Sequence, residues 1–89
     1  MQLFGDARIL PGADPEPYMQ DEIRAVDRLM ESGFITQLFR HLDGTGAILI
    51  IESDSIDAAE RTLAELPFVK YGVMEIPVSP IEERPHPTA

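Results

Sequence analysis

Ala47-Ile48-Leu49-Ile50-Ile51 is apolar at every position. Successive side chains of a strand point to opposite faces, so a strand of this composition is expected to be central and covered on both sides. The turn residues Asp43-Gly44-Thr45-Gly46 precede it and predict a hairpin with a strand over Phe34–Leu42. After it, Ser55 is placed to cap a helix and Asp57 lies near that helix's positive end. Ile56, Ala59, Leu63 and Leu66 give this helix a buried stripe, and Pro67 stops it. Phe68-Val69-Lys70 reads as a short link into a last strand over Tyr71–Val78.

The same reading extends toward the N-terminus. Gln2–Leu10 predicts a first strand, with Leu3, Gly5, Ala7 and Ile9 on one face and Phe4, Asp6, Arg8 and Leu10 on the other. Pro11-Gly12 ends it, and Asp14 with Pro15 and Pro17 opens a helix. Met19, Ile23, Val26 and Met30 recur at helical spacing as the expected inward stripe, and Gly33 is the expected left-handed stop. The order strand–helix–strand–strand–helix–strand predicts an α+β, ferredoxin-like unit with a four-stranded antiparallel sheet. Residues 1–89 are expected to form a single domain, with residues 80–89, including Pro85 and Pro87, as an extended tail suited to lie over a neighbouring subunit.

Two helices can cover only one face of such a sheet. The predicted strands are apolar on both faces, with charges mixed into one of them, and this points to a homodimer enclosing a small amphiphilic cavity. At 89 residues the domain would bury only about 60–65% of its unfolded surface, so association would add needed burial. There is no cysteine, which excludes a disulfide framework and thiolate metal sites. The net charge of −9, with 16 acidic residues against seven Lys and Arg, lacks the clustered cations of nucleic-acid binding. No apolar run approaches the roughly 18 residues of a membrane span, and no signal peptide is evident, so no membrane partner and cytoplasmic residence are expected.

If Leu3, Phe34, Leu38, Met74 and Ile76 face the helices, alternation places Asp6, Arg8, Gln37, His41 and Glu75 on the other side among Phe4, Ile35, Phe39 and Val73. A single bulge would exchange these faces. An apolar surface with a few convergent polar groups suits a small-molecule pocket. His41 has the side chain to move a proton near neutral pH, or is a solvated residue at a strand end. Glu75 is either a general base in apolar surroundings or an ordinary ion-pair partner of Arg8 or Arg40. Arg8 either grips a substrate carboxylate or pairs with Asp6 or Glu75. Tyr18 and Tyr71 either close the pocket and donate a phenolic hydrogen bond or serve as packing residues. His86, His41 and Asp43 have no metal-ligand spacing, and the glycines show no phosphate-cradling pattern.

Gly33, Leu38-Phe39-Arg40, Ser55-Ile56, Thr62-Leu63, Leu66-Pro67, Tyr71 through Glu75 and the tail Arg84-Pro85-His86-Pro87 resemble the muconolactone isomerase family. The resemblance covers roughly residues 33–87 and implies a dimeric α+β barrel, higher homo-oligomers included, active in aromatic-compound catabolism. It matches Glu75 to an acidic and Arg40 to a basic position of that family. Thr36-Gln37 departs from it, since the family is similar there only in place and carries Arg and His. The resemblance implies a cofactor-free isomerase that moves a proton on a small unsaturated lactone or related carbonyl compound. Glu75, His41 and Arg40 would be its catalytic residues, and Arg8, Asp6, Gln37, Phe39, Tyr18 and Tyr71 would bind substrate. The alternative is a small-ligand-binding or accessory protein without turnover on the same barrel. A third reading, in the wider barrel group, is a YCII-related protein with a His–Asp pair or a cofactor-free monooxygenase.

Overall fold

The computed structural model describes residues 1–87, so Thr88 and Ala89 of the expected tail lie outside the described residues. The elements are β1 (Gln2–Ile9), a 3-10 turn (Glu16–Tyr18), α1 (Met19–Glu31), β2 (Ile35–Arg40), β3 (Gly46–Glu52), α2 (Ile56–Ala64), α3 (Pro67–Lys70), β4 (Met74–Glu75) and β5 (Val78–Ile81). The sheet is antiparallel in the order β2-β3-β1-β4, with β5 also on β1. The expected α+β architecture is present, and β3 lies inside the sheet as its composition requires.

β1 and β3 pair from Gln2–Glu52 to Arg8–Gly46. Leu3 and Ala7 of β1 and Leu49 and Ile51 of β3 are buried in the same layer. Ile35, Ala59, Leu63 and Leu66 complete the main core, with Ala25, Val26 and Leu29 packed against it. Burying a side chain of this size contributes about 1.5–3 kcal/mol, and this layer fixes which sheet face meets the helices.

A bulge in β2 corrects one face assignment. Ile35 pairs with Ile51 but Gln37 pairs with Ile50, so Thr36 is the extra residue. Its hydroxyl donates to the Ile50 carbonyl at 3.2 Å. Ile35 and Leu38 therefore both face the helices, and Ile35 is fully buried rather than lining the other face. Val73 is likewise buried, and it precedes β4 instead of lying within the last strand.

The inward stripe of α1 differs from the expected one. Ile23 and Met30 are 48% and 43% exposed, whereas Glu22 is buried. A carboxylate in the inner row hides that row from a hydrophobicity pattern. Glu22 Oε1 accepts a 2.9 Å hydrogen bond from the Phe68 N–H. That donor lies in the first turn of α3, behind Pro67, where no intrahelical acceptor exists. The segment expected as a link is thus a helical turn capped from α1. Burial pushes the Glu22 carboxyl up, and the Phe68 hydrogen bond partly offsets this. Ser55 caps α2 as expected, its hydroxyl accepting from the Ala58 N–H at 3.0 Å.

β4 and β5 keep one continuous register along β1, from Ile9–Met74 to Gln2–Ile81. Ile76-Pro77 interrupts only the pairing pattern. Asp6 N–H donates to the Pro77 carbonyl at 3.0 Å, but Pro77 has no N–H to return. The last strand therefore begins later than expected and runs further, so Pro80 and Ile81 belong to β5 and not to a free tail.

Candidate functional site

Cross-strand partners share a face, so the register defines what the uncovered side presents. One row across the sheet holds Gln37, Ile50, Phe4 and Ser79, and the next holds Phe39, Ile48 and Asp6. A further row follows at one end. His41 N–H donates to the Gly46 carbonyl at 3.0 Å, Gly46 pairs with Arg8, and Arg8 pairs with Glu75. This row gathers three of the anticipated site residues, His41, Arg8 and Glu75. The two before it form an apolar floor of Phe4, Ile48, Ile50 and Phe39, of which Phe39 is 55% exposed in the single chain.

Gly46 contributes no side chain to the middle of the polar row. A Cβ there would collide with the Ala7 carbonyl oxygen, so the close approach of β3 to β1 at this point requires glycine. Arg8, Ile9, His41, Asp43 and Thr45 surround a shallow hollow of about 340 Å³ at this end. Thr45 carbonyl accepts from Ile9 N–H at 3.0 Å, tying the hairpin to the end of β1.

Arg8 donates through Nε at 3.0 Å to one oxygen of Asp6, and its Nη2 makes an ion pair with the same oxygen at 2.8 Å. That hydrogen bond and the Asp6 charge hold the guanidinium above its ordinary value, desolvation offsets part of this, and the Glu75 charge adds least. The Arg8–Asp6 pair expected as one reading of this residue is present. Asp43 Oδ1 accepts from the Thr45 hydroxyl at 2.7 Å and its N–H at 3.0 Å. These bonds, and the nearby His41, hold its carboxyl below the usual range. Asp43 thus orders the turn beside His41.

Arg40 does not join this group. It pairs with Ala47, which pairs with Ala7, on the helix side of the sheet. Residues 39 and 41 face one way and residue 40 the other, so Arg40 is separated from Glu75 by the sheet itself. Tyr18 and Tyr71 stack on each other, with ring centroids 4.7 Å apart at 12°. The Lys70 ammonium lies 5.8 Å from the Tyr71 ring. This pair sits by the junction of β1 and the last strand, where Leu10 N–H donates to the Val73 carbonyl at 2.8 Å. Ile48, Ile50, Thr45 and Ser79 were not anticipated at the site, although period-two alternation from Ala47 would have named the two isoleucines. A larger hollow of about 560 Å³ lies between α1 and α2 and contains none of the anticipated residues. Among the described residues no cluster of His, Asp or Glu could hold a metal ion, and no helix is long and apolar enough to cross a membrane.

No family model matches the chain, and no curated relative does. Solved structures do match. Muconolactone isomerase superposes with a TM-score of 0.78 at 23% identity, covering 100% of this chain and 96% of that one. The chain has the muconolactone isomerase fold. A 5-chloro-2-hydroxyhydroquinone dehydrochlorinase from Burkholderia phenoliruptrix, solved with 2,5-dihydroxybenzoquinone, matches with a TM-score of 0.75 at 20% identity, covering 94% and 96% of the two chains. On the muconolactone isomerase fold of this chain, the row His41–Gly46–Arg8–Glu75 occupies the face that α1 and α2 leave uncovered.

Proposed function

We propose that this protein is a cofactor-independent, isomerase-like enzyme that moves a proton on a small unsaturated lactone or related carbonyl compound. It would work as a cytoplasmic homodimer whose two uncovered faces enclose the substrate. The observation that carries the reading is the pairing of Glu75 with Arg8 at one end of an apolar floor. A carboxylate base and a hydrogen-bond donor opposite each other on strands whose backbones are about 5 Å apart suit the two ends of an enolising carbonyl compound.

In the proposed reaction Glu75 takes a proton from the carbon next to a conjugated carbonyl. The C–H electron pair moves into the conjugated system, and negative charge develops on the carbonyl oxygen. Arg8 donates to that oxygen, and such donors are usually the largest single catalytic contribution; Gln37 lies on the same face but two rows away, where it would meet the far end of the substrate. Glu75 returns the proton at the remote carbon, which restores the base and leaves no net change in atoms. His41 is the other candidate base, at the far end of the same row, two strands from Arg8 and three from Glu75. Isomerisation and dehydrochlorination can both begin with removal of a carbon-bound proton, so both named structural neighbours support this class of step. Arg40 has no part in it because it lies on the helix side.

The test is a screen of small lactones and enones for protein-dependent deuterium exchange in D₂O. Exchange at an acidic carbon is expected, with a fall of about 100-fold or more in Glu75→Gln and a smaller fall in His41→Gln. Exchange that survives unchanged in both variants contradicts the base assignment. Ligand binding with no exchange in the parent protein establishes the accessory reading instead.

A further inference from the structure

The site that the proposed reaction uses has an unusual charge balance, and this concerns its substrate class. Asp6, Glu75 and Asp43 surround or adjoin the polar row, against the single guanidinium of Arg8. Both Arg8 contacts go to one Asp6 oxygen, at 2.8 and 3.0 Å. The outer nitrogen, Nη1, keeps its donors, so Arg8 can still hydrogen-bond a carbonyl oxygen while its charge is cancelled. The nearest cations in sequence do not restore the balance. Arg40 is on the helix side in register with Ala47, and Lys70 lies over the Tyr71 ring. A second copy of the same face would add charges of the same sign, and the chain as a whole carries −9.

Resting on the reaction proposed above, we infer that the site takes an uncharged carbonyl compound and discriminates against carboxylates, with Asp6 as the positioning residue that sets this preference through Arg8. A carboxylate brought to the Glu75 end would face Asp6, Glu75 and Asp43, with only the Asp6-paired Arg8 and the imidazole of His41 as basic side chains of the row, a juxtaposition that is unfavourable once water is excluded. A neutral lactone, ester or enone meets only donors and the apolar floor of Phe4, Ile48 and Ile50.

The experiment uses a matched pair of probes: a five-membered unsaturated lactone carrying a carboxymethyl group, and the methyl ester of the same compound. Deuterium exchange and calorimetric binding are measured on the full chain for the parent, for Asp6→Asn, and for Asp6→Asn combined with Arg8→Met. The parent should prefer the ester by about tenfold or more. Asp6→Asn should narrow that preference by a similar factor through gain on the acid, and the double variant should lose the gain. A merely structural role for Asp6 would lower both probes alike, which overturns the assignment. A parent that prefers the acid overturns the inference and leaves the proton-transfer reading standing. A parent that neither binds nor exchanges either probe overturns both.

Discussion

Glu22 and Gly46 show how much one residue can fix. Replacing Glu22 by Ala leaves the Phe68 N–H buried without an acceptor and should cost about 1–3 kcal/mol in denaturant unfolding. Glu22→Gln keeps an acceptor and should separate hydrogen bonding from charge. Because burial raises the Glu22 carboxyl, the unfolded chain releases this proton first as pH rises. Its contribution to stability is therefore greatest at acidic pH, declines as pH climbs from the ordinary carboxylate value to the raised one, and is constant above that. Glu22→Gln should lose this decline, which unfolding midpoints at about pH 4 and about pH 7 will reveal. Gly46→Ala should cost about 1–3 kcal/mol, since β3 must move away from the Ala7 carbonyl. Neither role was legible beforehand, because a buried acid breaks a hydrophobicity pattern and a close backbone approach leaves only a glycine as its trace.

The elements were more legible than their faces. Ala47–Ile51 marked the central strand, Ser55 marked the start of α2, and the turn at residues 43–46 marked the hairpin. Orientation depended on details that periodicity does not carry. Thr36 inserts one residue into β2 and turns Ile35 inward, and Glu22 displaces the apparent stripe of α1. The corrected α1 face makes a direct prediction. Ile23→Gln should change stability by less than about 0.5 kcal/mol, whereas Leu29→Ala should cost about 2 kcal/mol or more. Equal losses would restore the original stripe. The site residues followed the same pattern. Asp6, Arg8, Gln37, Phe39 and Glu75 fall together on the uncovered face because regular alternation holds in β1, beyond the bulge in β2 and in β4. The catalytic role of Arg40 was implied by the family resemblance, and alternation places the residue on the opposite face.

At the scale of the whole molecule, the α-helices protect one side of the sheet and leave Phe4, Ile48, Ile50 and Phe39 on the other. An apolar floor of this kind beside paired charges is suited to closure by a second copy, and the proposed chemistry depends on that closure to exclude water. Phe39→Asp would bury a charge at the centre of such a contact and should shift the protein toward monomer, seen as a lower sedimentation coefficient at matched concentration. The same variant should weaken deuterium exchange without touching Glu75 or Arg8. The most direct measurement is the solution mass of the parent protein at micromolar concentration, by sedimentation equilibrium. Twice the 9.9 kDa chain mass, or a higher even multiple, is expected. A single species at 9.9 kDa would contradict it.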